Sequence, residues 1–291
     1  MRLVFLGTPA AAVAPLEALV NAGHDVALVV SRADKRRGRG GELGPTPVKA
    51  AAMRLGLPVT AAVDDALGVG ATLGVVVAFG QIIKPHVLAV LPMINLHFSL
   101  LPRWRGAAPV ERAVLAGDTE TGVCVMEVEE GLDTGGVYAL ERLVIHPGET
   151  ADALRDRLVT VGTQLLVSVL ADPDGLAEAL PQDGVPTYAD KITAADLQLD
   201  WTRPARSLAR VPLVGKAWTT FRGQRLLVLG GRAVAASEGR AGAPGSLVGT
   251  TVATGEGGFE LLTVQPEGKG PMPATVWRNG ARPQPGECLG G

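Results

Sequence analysis

With 291 residues, 47% of them hydrophobic and 19% charged, the chain is long enough for two folded domains and too apolar to be disordered. Its two cysteines, Cys124 and Cys288, exclude a disulfide framework, and its four histidines, at 24, 86, 97 and 146, lack metal-ligand spacing, so no metal is expected and a reducing cytoplasm is the expected compartment. The net charge of −2 hides an asymmetry, because residues 1–200 carry 16 Lys and Arg against 24 Asp and Glu while residues 201–291 carry 11 against 5, and a basic C-terminal third suits a polyanionic partner.

In chain order, Leu3 to Leu6 reads as a short core strand rather than a signal peptide, because Gly7 and Pro9 interrupt it. An Ala-rich helix runs to Ala22, Gly23 stops it, and Val26 to Val30 predicts a second buried strand. Val48 to Leu55 predicts a helix, while Val75 to Phe79 and Met93 to Phe98 predict strands apolar on both sides, as central parallel strands are. The expected class is α/β, a Rossmann-like doubly wound and mainly parallel sheet. Pro109 to Ala116 reads as a short helix, Val123 to Glu127 and Val137 to Ile145 as strands, and Ala151 to Leu170 as a long amphipathic helix capped by Thr150. No run reaches the roughly 18 apolar residues of a membrane span.

These signals predict a catalytic domain over 1–180 and a polar, proline-bearing linker over 181–204. Over 205–291 the pattern turns to short β runs, Trp218 to Phe221, Arg225 to Leu229, Ser246 to Val252 and Phe259 to Val264, with helix periodicity lost. A smaller C-terminal β-barrel of the oligonucleotide-binding type is expected there.

Asn95 and His97 fall two apart at the C-terminal end of a predicted central strand, the edge where open α/β sheets bind ligands, and the strand period aims both side chains at one face. Asn is depleted in strands and His is uncommon in their cores, so the pair marks either a site or two hydrogen-bonded structural polars. The turn Gly131 to Gly136 places Asp133 among glycines that let backbone approach a ligand, and it reads equally as an Asx-turn between strands. Five of the eight residues from Arg32 to Arg39 are basic, on a glycine-flexible loop suited to phosphates or simply to solvent.

The run Asn95-Leu96-His97 followed by SLLPRWRGAAP and then GLDTG closely resembles the formyltetrahydrofolate-dependent formyltransferases, in the form of the members that act on a charged tRNA. The opening FLGTP, the basic loop with its TPVK continuation, and the C-terminal LLTVQPEGK and WRNG extend the resemblance over almost the whole chain. It implies that Asn95, His97 and Asp133 are catalytic. It implies a pocket for 10-formyltetrahydrofolate, the formyl donor, at Phe79, Gly80, Gln81, Ile82 and Ile83 and at Ser99, Leu100, Leu101 and Pro102. Arg36, Arg37 and Arg39 would meet the acceptor, methionyl initiator tRNA, together with the C-terminal domain. A monomer off the membrane is expected.

Formyl transfer needs a donor for the developing oxyanion, an acid/base and a route for the amine's proton, roles for which a carboxamide, an imidazole and a carboxylate suffice. Other readings stay open at this stage: another formyl-folate enzyme acting on a sugar-nucleotide amine or hydrolysing its cofactor, and a non-catalytic RNA-binding protein. The run from Pro58 to Gly74 and the stretch Arg210 to Lys216 are short for the family, and Glu42 stands where a basic residue is usual, which bears on tRNA contacts more than on the chemistry.

Overall fold

The computed structural model describes residues 1–36, 43–172, 174–235, 242–284 and 286–291. Its internal contacts divide it into two units, the first Met1–Val110, Glu120–Val144 and Leu154–Asp190, the second Glu111–Thr119, Ile145–Ala153 and Lys191–Gly291.

The first unit is built on seven strands: β1 (Arg2–Gly7), β2 (Asp25–Val30), β3 (Val59–Thr60), β4 (Leu73–Val77), β5 (Met93–His97), β6 (Glu120–Glu127) and β7 (Val137–Val144). Their order is β7-β6-β5-β4-β1-β2-β3, with β1 to β5 parallel to one another, β6 antiparallel to β5 and β7 antiparallel to β6. Leu3 to Leu6 are without exposure, which is why their segment reads as an unbroken apolar run rather than an alternating one, while Ile94 and Leu96, also buried, alternate with Asn95 and His97. The chain leaves β1 for β2 and β3, then returns to the other side of β1 as β4. That reversal places a crevice at the carboxyl ends of β1 and β4, beside β5.

Helix α1 (Val13–Asn21) follows β1 through a 3-10 turn over Ala10–Ala12. Helix α2 (Pro47–Arg54) starts at Thr46, whose hydroxyl accepts the Lys49 N–H at 3.1 Å, with Pro47 in the first turn, where its missing N–H costs nothing. The chain also forms α3 (Pro109–Ala116) and α4 (Ala151–Ala171), the latter capped by Thr150 Oγ1 accepting the Ala153 N–H at 3.2 Å. Leu154, Leu158 and Leu166 form the fully buried stripe of α4. Gly162 lets the helix lie on the sheet, since a Cβ there would stand 2.9 Å from Val123 and 3.2 Å from Leu96.

The second unit carries an antiparallel sheet of β8 (Trp218–Phe221), β9 (Gln224–Val234), β10 (Leu247–Val248), β11 (Thr251–Ala253), β12 (Gly258–Pro266) and β13 (Met272–Pro273). The order is β8-β9-β12-β11-β10, with β13 paired to β12, and among the described residues no ladder joins β8 to β10. Two expectations are corrected here. The run Ser246 to Val252 is a hairpin rather than one strand, because Gly249 at φ +65° turns the chain between Val248 and its partner Thr251. Helical structure also continues past Trp218, in α5 (Ala274–Ala281), whose eight residues are too few for the spacing of its buried Ala274 and Trp277 to register as a period.

Its core gathers Leu199, Trp201, Phe221, Leu226, Val228, Phe259, Leu261, Val264 and Trp277. Trp201 meets Phe259 edge-on at 5.6 Å and Phe221 meets Trp277 at 5.3 Å, while the buried Trp201 indole N–H donates to Thr219 Oγ1 at 3.0 Å.

In the same unit Asp196 accepts from Arg112 at 2.7 Å and from the Thr193 hydroxyl and backbone N–H. The Arg112 hydrogen bond first, and those from Thr193 after it, hold its carboxyl at about 2 against an ordinary 3.8. A carboxyl lowered in the folded state adds stability above its unfolded pKa and loses it as pH falls through the folded one. Asp196→Asn is therefore expected to cost roughly 1–2 kcal/mol at neutral pH after allowance for solvent screening, and to flatten the loss of stability between about pH 4 and 2. Urea unfolding across that range checks it; parallel curves for the two proteins would remove the ion pair from the account.

Candidate active site

Asn95 and His97 stand on β5 between β4 and β6, Asn95 opposite Val76 and Met126 and His97 opposite Cys124. His97 is 5% exposed. Its Nε2 lies 3.0 Å from the Trp104 carbonyl, which can only accept, so Nε2 carries the hydrogen and the tautomer of the neutral ring follows. The loop that brings this carbonyl is tied down on both sides: the fully buried Ser99 donates to the Arg103 carbonyl at 2.6 Å, and the Trp104 N–H donates to Thr187 Oγ1 at 2.9 Å.

The other ring nitrogen, Nδ1, lies 3.6 Å from Asp133 Oδ2, beyond hydrogen-bond reach but within charge attraction. Asp133 Oδ2 also accepts the Gly106 N–H at 2.7 Å. Gly106 can approach so closely because it has no Cβ: at φ +123° a methyl there would stand 2.9 Å from the Ala189 carbonyl. Trp104 at φ +63° and Asp133 at φ +49° are non-glycine residues in the left-handed region. Such strain costs on the order of 1–3 kcal/mol per residue and gathers at functional sites. Asn95 is half-buried, and among the described residues its carboxamide has no protein hydrogen-bond partner.

The segments expected to hold a folate divide by burial. Phe79 is 2% and Ile83 8% exposed, both in the core with Ile83 followed by the turn into Pro85, whereas Gly80 (φ +67°), Gln81 and Ile82 are exposed. Leu100, Leu101 and Pro102 are half-buried. Any ligand contact by Phe79, Ile83 or Ser99 would therefore come from backbone, with the side chains supporting the loops. Thr8 Oγ1 donates to the Phe79 carbonyl at 3.2 Å and the Arg32 guanidinium to that of Gly80.

Arg36 pairs with Leu43 across a short antiparallel ladder, Lys35–Arg36 on Leu43–Gly44, at the base of the basic loop. Arg37 and Arg39, like Glu42, lie outside the described residues. Thr8, Arg32, Ala33 and the Gly44 to Pro47 turn line a cleft of about 220 Å³, which takes in none of Asn95, His97 and Asp133.

Two further groups escaped the sequence reading. Gln182, in a polar stretch without periodicity, bonds the backbone of the Asp133 turn, and no sequence signal marks it. Cys124, beside His97, donates to the Ser99 carbonyl at 2.9 Å, and burial pushes its thiol up to about 11. A thiol so placed is no nucleophile at neutral pH. Cys124 is accordingly expected to resist alkylation in the native protein and to react only on unfolding; mass spectrometry of iodoacetamide-treated protein checks this.

An amide, an imidazole and a carboxylate meet at the carboxyl edge of a doubly wound sheet, and sequence models of known families give the class of protein. The formyl transferase model matches residues 1–170 and the formyl transferase C-terminal domain model residues 191–282, so the chain belongs to the formyl transferase family. Within it, the chain is 46% identical to the methionyl-tRNA formyltransferase of Roseobacter denitrificans, covering 100% of this chain and 99% of the relative. It is 45% identical to that of a Methylobacterium species, covering 99% of each. The fold is shared with the N-formyltransferase of Helicobacter canadensis, at a TM-score of 0.66 and 15% identity over 89% of this chain and 97% of that one. It is shared also with HypX of Aquifex aeolicus, at 0.64 and 14% over 96% and 47%.

Proposed function

We propose that this chain transfers the formyl group of 10-formyltetrahydrofolate to the α-amino group of methionyl initiator tRNA. The observation that carries the reading is the meeting of His97 with Asp133, beside Asn95, in a chain that matches methionyl-tRNA formyltransferases from end to end. The residues fit a formyl donor. Asn95 offers an N–H with no protein acceptor, and a carbonyl oxygen brought to it would satisfy that group. Gly80, Gln81, Ile82 and Leu100 to Pro102 would hold the folate, which when bound supplies an activated formyl carbon.

Around that carbon the chain's own groups divide the work. The Asn95 carboxamide donates to the formyl oxygen as negative charge gathers there, a contribution of roughly 3–4 kcal/mol for such a donor. His97 has Nε2 engaged by Trp104, which leaves Nδ1 to take up a proton and return it to the folate nitrogen as its bond to the formyl carbon breaks, acid–base help worth about 10²–10⁴ in rate. Asp133, 3.6 Å from that nitrogen, takes the proton of the attacking amine directly or through water. Arg36, Arg37 and Arg39 and the basic C-terminal region supply charge for the tRNA phosphates.

The test is formyl transfer from 10-formyltetrahydrofolate to charged initiator tRNA, run beside free methionine and an amino-sugar nucleotide. Rapid transfer to the tRNA alone is expected. Transfer to the amino sugar with none to the tRNA would sink the reading. The same reading has the protein working as a monomer in the cytoplasm, which sedimentation and cell fractionation check.

A further inference from the structure

Gln182 lies within Lys-free, proline-bearing sequence with no periodicity, yet its carboxamide is saturated. Its Nε2 donates to the Asp133 carbonyl and to the Gly135 carbonyl, each at 2.8 Å. Its Oε1 accepts from Arg105 Nε at 3.0 Å and from Arg105 Nη2 at 2.6 Å. Two donors and two acceptor positions are all a primary amide has, and all four are used on protein. Chemistry also settles which end is which, because the carbonyls can only accept and the guanidinium can only donate. The side chain is half-buried amid exposed neighbours, where a glutamine ordinarily bonds water.

What this amide joins gives it a purpose. One end grips the turn at Asp133, in the left-handed region at φ +49°, and at Gly135, where a Cβ would stand 2.1 Å from the Glu127 carbonyl. The other end grips Arg105, whose neighbour Gly106 donates its N–H to the Asp133 carboxylate at 2.7 Å. Arg105 and Gly106 run parallel to Tyr188 and Ala189, so the segment that carries Gln182 is itself paired to the strand it orients. Asp133 is thus held by backbone from one side and by carboxylate from the other, with Gln182 the link between the two.

We infer that Gln182 is a positioning residue for the formyl transfer proposed above, on which the inference rests, acting through Asp133 and setting its distance from His97. It touches none of the reacting groups. Displacing a catalytic group by about 1 Å can cost on the order of 10²-fold. Gln182→Glu keeps an acceptor for Arg105 but sets an oxygen against two carbonyls; Gln182→Ala and Gln182→Met remove the polar end and, for Met, keep the length.

Steady-state kinetics with 10-formyltetrahydrofolate and charged initiator tRNA, alongside thermal unfolding, test the assignment. Each folded variant is expected to lose kcat by about 30- to 100-fold with KM for either substrate changed by less than about threefold, Gln182→Glu most. A kcat within about threefold of wild type in any folded variant overturns it, as does a loss confined to KM. Failure of all three to fold overturns it too, by assigning Gln182 to the fold alone. Wild-type protein that formylates no tRNA would instead refute the proposed function.

Discussion

Asp133→Asn is expected to lower kcat by about 10²–10⁴-fold while leaving the protein folded and its KM values nearly unchanged. The substitution is chosen for what it keeps. Asn tolerates the left-handed region as well as Asp does, so φ +49° is no obstacle, and its side-chain oxygen can still accept the Gly106 N–H. The backbone carbonyl that Gln182 holds is untouched. Only the negative charge 3.6 Å from His97 Nδ1 is lost, and with it the acceptor for the amine's proton. Single-turnover formylation of charged tRNA measures the effect, and turnover near that of the wild type would take Asp133 out of the chemistry.

Asn95→Ala is the second large effect, a fall of about 10²–10³ in kcat, or roughly 3–4 kcal/mol of lost oxyanion stabilisation. It also separates the two readings that the strand pattern left open. A structural Asn would hold a protein partner, and its loss would appear as a drop in stability. Among the described residues the Asn95 carboxamide has none, and Asn is a poor strand former, so stability should be unchanged or slightly raised on this central strand. Denaturant unfolding with kinetics on one preparation decides: stability lost with kcat preserved would assign the residue to the fold.

Much of the architecture is a matter of local pattern. Leu3 to Leu6 are buried on both faces, and a strand so placed leaves an apolar run bounded by turn residues that anyone can read. Thr150 announced α4 because capping is chemistry between near neighbours. Where the local signal was thin the reading slipped: Gly249 splits one expected strand into a hairpin, and α5 is too short for its period to register.

The site divides along the same line. That Asn95 and His97 share a face follows from a period of two residues, and no further folding is needed to know it. That Asp133 comes to His97 depends on the order of strands in the sheet, with β6 inserted beside β5 before the chain reaches the turn. Spacing along the chain carries no trace of such an order; only the resemblance to a family suggested it. Gln182 was invisible for a related reason: its partners are mostly backbone carbonyls, which every sequence contains and only a fold can aim. Local periodicity decides which way a side chain faces, whereas hydrogen-bond saturation and the meeting of distant groups are decided when the sheet closes around them.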